Sequence, residues 1–220
     1  MATRSQIENA GRRVRKAVEA GAEPAAADLL VIEEFRSLHT ATLVFTQGLL
    51  TANLPRANIA PDQLAITSRP KTREAIIAKM CRTRMALPRM QDIAGVRVVV
   101  PSLENQQAAL GIVAERLDSD GERTKDTTQD GDRWGYRAIH VIGKPYDHLV
   151  EVQIRTQMQD RWAQIVESLD KALKLDLKHG RGPADWIQWL QELSDELRKA
   201  DLGEPYAVPD TPFDMLIPPP

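Results

Sequence analysis

The chain has 220 residues, enough for one well-packed domain and too few for two large ones. Its 29 basic and 31 acidic residues nearly balance, which excludes a globally basic nucleic-acid binder while allowing a local basic patch. A single cysteine, Cys81, excludes an internal disulfide, four scattered histidines offer no zinc-type spacing, and no run approaches the roughly 18 apolar residues that span a bilayer, so a cytoplasmic protein with no membrane partner is expected.

Ile7, Ala10, Val14 and Val18 recur at helical steps, with Arg4, Arg12, Arg13, Arg15 and Lys16 around them, and Gly21 and Pro24 stop the helix. This basic amphipathic helix reads either as an ordinary solubilised surface or as a phosphate-binding one. From Ala25 a longer stripe of Val31, Phe35, Leu38, Thr42, Phe45 and Leu49 predicts a second helix, about 40 Å long, ending near Asn53 and Pro55. A helix of that length needs a partner surface, so the first two helices are expected to pack together.

Gln63 to Ser68 reads as a short strand, and Thr72 to Arg84 as a helix with Ile76 and Met80 inward. Arg69, Lys71 and Lys79 gather at that strand-to-helix junction, where anions dock, although simple solvation would also account for them. Placed on one helix, Lys71 and Lys79 would stand about 12 Å and 80° apart, able to flank a polyphosphate. Gln91 to Val100 is the strongest strand, dense enough in branched apolar residues to be central and covered on both faces, with Asp92 at its head as a turn residue or a site carboxylate. Ser102 caps a helix to Leu117 with Leu110, Val113 and Leu117 inward, and the polar stretch Asp118 to Arg133 reads as a mobile loop with one exposed strand.

Two alternating runs follow. Tyr136 and His140 share one face of a run ending near Ile142, with Arg137, Ile139 and Val141 on the other; Val150, Val152 and Ile154 oppose Glu151, Gln153 and Arg155 in the next. Gly-Lys-Pro-Tyr-Asp-His reads as the turn between them, which predicts an antiparallel pair. Gln157 to Leu175 is a helix with Trp162, Ile165, Leu169 and Leu173 on one side. Lys178 to Pro183 breaks it, and Ala184 to Ala200 is a last amphipathic helix through Trp186, Trp189, Leu190, Leu193 and Leu197. The proline-rich tail beyond Gly203, with Tyr206, Phe213 and Ile217, cannot be helical and is expected to lie across the domain or bind a partner.

The order of elements predicts an α+β domain over residues 1–203: an N-terminal helical pair (1–55), a core (63–175), a C-terminal helix (183–200) and a tail (204–220). Two carboxylates on neighbouring strands, Asp92 and Glu151, with a cluster of Arg and Lys and a stacking aromatic, are what phosphoryl transfer from a magnesium nucleotide requires.

SRPK with Lys79 downstream, MQDIAGVR, GYRAIH, and VEVQIRT followed by Trp162-Ala163 resemble, in order and spacing, the synthetase motifs of the RelA/SpoT alarmone synthetases. The likeness runs from about Ser68 to Trp162, with a weaker echo at KHGRGP; a small single-domain synthetase, without the HD hydrolase segment or regulatory domains of larger members, is expected. The resemblance implies a nucleotidyltransferase-like mixed sheet flanked by helices, and a pyrophosphokinase that moves the β,γ-diphosphate of ATP to a ribose 3′-hydroxyl. On that likeness Asp92 and Glu151 hold magnesium and Glu151 activates the hydroxyl. Arg69, Lys71 and Lys79 grip ATP, Tyr136 stacks on the acceptor base, and His140, Gln153 and Arg155 line the acceptor side. Arg97 matches its motif and could equally pin the sheet edge.

Two departures fall on the acceptor side. In guanosine-nucleotide synthetases of the family the tyrosine motif is preceded by asparagine with a lysine just before it, where this chain has Asp132-Arg133-Trp134; the helix after Trp162 shows Val166-Glu167 in place of a Glu-His pair. The acceptor expected is GDP or GTP, giving (p)ppGpp. Toxin members of the family pyrophosphorylate the 3′ end of tRNA instead, for which Arg12, Arg13, Arg15 and Lys16 would be a binding surface. A neutralising antitoxin protein, a second copy of the chain, and a catalytically silent nucleotide-binding module also remain open.

Overall fold

The computed structural model describes residues 2–119 and 123–212. Phe213 and Ile217, expected to make the tail adhesive, lie outside the described residues. Six α-helices, α1 (Arg4–Glu19), α2 (Ala26–Asn53), α3 (Arg73–Thr83), α4 (Leu103–Arg116), α5 (Gln157–Leu173) and α6 (Ala184–Asp201), surround five strands, β1 (Ala65–Pro70), β2 (Ala94–Val100), β3 (Thr124–Asp126), β4 (Ile139–Gly143) and β5 (Val150–Thr156). The strands form one mixed sheet in the order β1-β2-β5-β4-β3, parallel only between β2 and β5. This is the expected α+β architecture, and β4 and β5 are the antiparallel pair that their alternation predicts. No helix among the described residues is long and apolar enough to cross a membrane.

Alternation decides what each face of the sheet does. Val96, Val98, Val150, Val152, Ile154, Ile139 and Val141 point to one side and form the largest core with Leu43, Leu50, Ala109 and Val113 from α2 and α4. Contrary to expectation, β2 is not covered equally on both faces: Gly95, Arg97 and Val99 are only half-buried. Branched apolar density reports the buried face of a strand strongly enough to mask an open one. Two smaller cores flank the sheet. One joins α1, α3 and the start of α2 through Ile7, Val14, Ile32, Ile76 and Met80. The other joins α5 and α6 through Trp162, Val166, Trp186, Leu190 and Leu193.

Helix α2 is the expected length, but its buried line differs from the predicted stripe. Ile32, His39, Thr42, Leu43, Thr46 and Leu50 face inward, whereas Phe45 is exposed and Val31, Phe35, Leu38 and Leu49 are half-buried. The inward polar groups include His39, whose Nδ1 meets the carbonyl of Phe35 at 2.9 Å, and Thr42, whose hydroxyl donates to the carbonyl of Pro145. Burial of hydrogen-bonded polar residues costs little, so an apolar stripe alone misplaces the face. At the other end, the described part of the tail lies back on α6, with Trp189 Nε1 donating to the Pro209 carbonyl at 3.1 Å and the Ala207 amide to Glu196.

Candidate active site

Backbone register lines up the open face of the sheet in rows. Arg69, Gly95 and Glu151 form one row across β1, β2 and β5; Thr67, Arg97, Gln153, His140 and Lys125 form the next across all five strands. A Cβ at Gly95 would meet only the Arg69 carbonyl, at 3.7 Å, so the missing side chain leaves a gap between Arg69 and Glu151.

Asp92 sits two residues before β2 and anchors the first half of the site. Its Oδ2 accepts from Lys71 Nζ at 2.9 Å and from Lys79 Nζ at 2.8 Å. Lys71 is not on a helix with Lys79 as the spacing argument assumed. Thr72 caps α3, its hydroxyl accepting from the Ala75 amide, so Lys71 lies in the turn before the helix and its ammonium converges on Lys79 instead of diverging from it. Burial pushes the Asp92 carboxyl up, and the two ammoniums outweigh that and hold it below the usual carboxylate range. Asp92 Oδ1 is buried with no hydrogen-bond partner. Arg69 is exposed at the rim beside this cluster.

Glu151 anchors the second half. Its Oε1 meets His140 Nδ1 at 2.9 Å and its Oε2 accepts from Gln153 Nε2 at 2.9 Å. His140 Nε2 lies 3.0 Å from the Tyr136 hydroxyl; Arg155 donates to that hydroxyl at 3.1 Å and to Gln153 Oε1 at 3.0 Å. Five side chains thus close a ring from Arg155 to Glu151 by two arms, and every link has one donor and one acceptor when His140 carries its proton on Nδ1. Burial pushes Glu151 up, the hydrogen bonds from His140 and Gln153 bring it below its ordinary value, and the nearby charge of Asp92 opposes them. The two carboxylates therefore sense one another across the mouth of the site, and both stay ionised.

The expected site residues fall into three groups. Asp92, Lys71 and Lys79 form one cluster and Glu151, His140, Gln153 and Tyr136 another, with Arg69 exposed at the end of β1. Arg155 joins them from beneath: it is 4 % exposed and its two terminal guanidinium nitrogens are held by Tyr136, Gln153 and Asp160, so it braces the site and does not line it. The third group, on α1, disperses. Arg13 is fixed in a bidentate pair with Asp28, Arg15 is half-buried and donates to the Arg84 carbonyl, and Arg12 and Lys16 are exposed.

Three functional candidates escaped sequence reasoning. Lys125, in the stretch read as a mobile loop with one exposed strand, lies on that strand, β3, as the neighbour of His140 on the open face. Gly95 is visible only once register is known. Asp160, 7 % exposed in the first turn of α5, accepts from Arg155 at 3.0 Å and lies 3.4 Å from Arg97, which reaches Glu167 at 3.8 Å. Arg97 therefore ties β2 to α5; because β2 is an inner strand, this is not the sheet-edge role weighed for it.

Residues 68–170 match the family model described as a region found in RelA / SpoT proteins. Over 123 residues the chain is 34% identical to an uncharacterized protein of Mycobacterium tuberculosis, covering 55% of this chain and 45% of that one. Over 144 residues it is 31% identical to the GTP pyrophosphokinase of Escherichia coli, covering 63% and 19%. The chain thus spans less than half the length of these curated relatives. Among solved structures, small alarmone synthetase 1 of Bacillus subtilis, bound to its product pppGpp, superposes with a TM-score of 0.64 at 22% identity, covering 78% of this chain and 94% of the other. A GTP pyrophosphokinase family protein of Streptococcus pneumoniae gives 0.60 at 23%, covering 78% and 89%. Residues 68–170 are therefore similar to the RelA/SpoT region, and the chain has the fold of the small alarmone synthetases.

Proposed function

We propose that this chain is a pyrophosphokinase that transfers the β,γ-diphosphate of ATP to a ribose 3′-hydroxyl, with GDP or GTP as the acceptor. The observation that carries this reading is the pair of ionised, half-buried carboxylates, Asp92 clasped by two lysines and Glu151 held by a hydrogen-bonded ring, near enough for the charge of Asp92 to act on Glu151. The relatives named GTP pyrophosphokinase support it.

Asp92 and Glu151 fit a magnesium ion, which takes oxygen ligands, uses one or two protein carboxylates and leaves its remaining positions to water and phosphate. The buried, unpartnered Oδ1 of Asp92 is a free ligand oxygen of that kind. When bound, the ion would neutralise charge on the triphosphate. Lys71 and Lys79, freed from Asp92, would exchange its carboxylate for phosphate oxygens, and Arg69 would close on them from the rim. Glu151 would take the proton from the 3′-hydroxyl as the oxygen bonds to the β-phosphorus; the bond from the β-phosphorus to the α,β-bridging oxygen breaks, and AMP leaves with its electron pair. His140 and Gln153 keep the carboxylate aimed while it does so.

The test is transfer itself: the protein, magnesium, ATP labelled in the β-phosphate, and GDP, GTP or tRNA. Label on GDP or GTP with one AMP released per transfer is the expected result. Nucleotide binding with no transfer to any acceptor would make the chain a silent nucleotide-binding module and overturn the proposal.

A further inference from the structure

The departure at Trp134 has a structural consequence for Tyr136. Asp132 Oδ1 accepts from the amides of Trp134 (2.8 Å) and Tyr136 (3.0 Å), the Gly135 amide donates to the Asp132 carbonyl (3.0 Å), and the Asp132 amide donates to the Tyr136 carbonyl (2.8 Å). Residues 132–136 are therefore one rigid turn that moves as a unit. On one side it rests on α6. Gly135, at φ 90°, is so close that a Cβ there would stand 3.0 Å from Ser194 Cβ and 3.2 Å from the Leu190 carbonyl oxygen.

On the other side the turn is held by Trp134. The six-membered ring of its indole lies against Gly180, where a Cβ would come within 2.1 to 2.4 Å of Cζ2, Cη2 and Cε2. The Arg133 guanidinium covers the ring at 4.3 Å, a cation–π contact. The loop carrying Gly180 is itself anchored: Asp170 of α5 accepts from the Leu177 amide, and Asp176 and Arg181 exchange backbone hydrogen bonds. Tyr136, at the end of the turn, delivers its hydroxyl to His140 and Arg155 and its ring to Trp162.

We infer that Trp134, latched on Gly180, is a positioning residue that sets Tyr136 for the acceptor, an inference that rests on the pyrophosphokinase reading above. Arg69 on β1, Lys71 just before α3, Lys79 on α3 and Asp92 just before β2 lie on other elements than the turn, and both lysines pair with Asp92. Loosening the latch therefore affects the acceptor and spares ATP. Glycine at 180 is required twice over, by φ 68° and by the indole seated on it.

The experiment compares Trp134→Ala, Trp134→Phe, Gly180→Ala and the double variant Trp134→Ala/Gly180→Ala. Trp134→Ala and Gly180→Ala should each raise the acceptor KM about tenfold or more, the scale of a lost stacking contact. ATP KM should stay within about twofold. Trp134→Phe should restore most of the acceptor affinity, and the double variant should be no worse than Trp134→Ala, because both changes break one contact. Hydrogen exchange gives a readout free of activity: amides 134–136 should exchange faster in the alanine variants while those of β5 keep their protection. An unchanged acceptor KM, equal rises for both substrates, or unchanged exchange at 134–136 each overturns the latch. Absence of transfer in the wild-type protein would instead overturn the pyrophosphokinase reading, leaving the exchange experiment to judge the latch alone.

Discussion

Glu151 and Arg155 share one face of β5, yet the structure gives them opposite roles. Glu151→Gln keeps the volume and the link to His140 while removing the charge that would take the hydroxyl proton. Transfer is expected to fall at least ~100-fold, about 2.7 kcal/mol of barrier, with the unfolding midpoint little changed; activity within about tenfold of wild type would remove Glu151 from the chemistry. Arg155→Ala should behave differently. It takes one of two guanidiniums from the buried Asp160, leaving Arg97 at 3.4 Å, and opens the ring at two links, so the fold should lose about 1–3 kcal/mol in urea titration. A stable variant with only a weakened acceptor KM would restore Arg155 to the pocket wall. Alternation made the shared face legible in the sequence. It carries no information on depth, and the partner that buries Arg155 is Asp160, five residues on, beyond the strand and inside the next helix.

At the scale of elements, helix caps and strand periods were legible because they are local. Ser102 caps α4 as read, and the ends of β5 and α6 fall within a residue of where the sequence places them. The inward face of α2 and the approach of Lys71 to Lys79 were not, because both are fixed by what other elements present. The junction of β5 and α5 shows how far a cap can reach. The Thr156 hydroxyl accepts from the Gln159 amide and donates to Asp201 Oδ2 at 2.6 Å, joining the start of α5 to the end of α6. Burial pushes the Asp201 carboxyl above its ordinary value, and the Thr156 hydrogen bond works against that shift. Thr156→Val should cost about 1–2 kcal/mol as a lost cap. It should also raise the Asp201 pKa further, because the ionised carboxylate loses its donor. A group whose folded pKa is raised penalises the fold when ionised, so the deficit of the variant should be largest at neutral pH and shrink as pH falls through the folded pKa of Asp201. Urea unfolding across a pH series checks this; a deficit independent of pH would separate Thr156 from Asp201.

For the whole molecule, the order of elements gave the fold class, and the motifs gave the two halves of the site before their distances were known. Sequence could not show which cations are already committed to the protein. Four basic residues of α1 read as one RNA surface, but Arg13 is locked to Asp28 and Arg15 is turned toward the Arg84 carbonyl, which leaves Arg12 and Lys16 for phosphates. Reversing all four charges would break the contact between α1 and α2 and confuse binding with folding, so the informative variant is Arg12→Glu/Lys16→Glu. With tRNA as the acceptor, losing up to two phosphate contacts should weaken it strongly at low salt and flatten the logarithmic salt slope by one to about two. With GDP or GTP as the acceptor, the same variant should transfer normally, whereas Tyr136→Ala should raise the acceptor KM by a stacking contact of roughly 1–3 kcal/mol. Tyr136→Phe, keeping the ring and losing the hydroxyl bonds to His140 and Arg155, should hold the acceptor KM and lower kcat. Both sets are measured on both acceptors across a salt series. A double α1 variant that transfers to tRNA normally at every salt concentration removes α1 as an RNA surface, and a Tyr136→Phe variant whose acceptor KM rises as far as that of Tyr136→Ala removes the ring as the stacking platform.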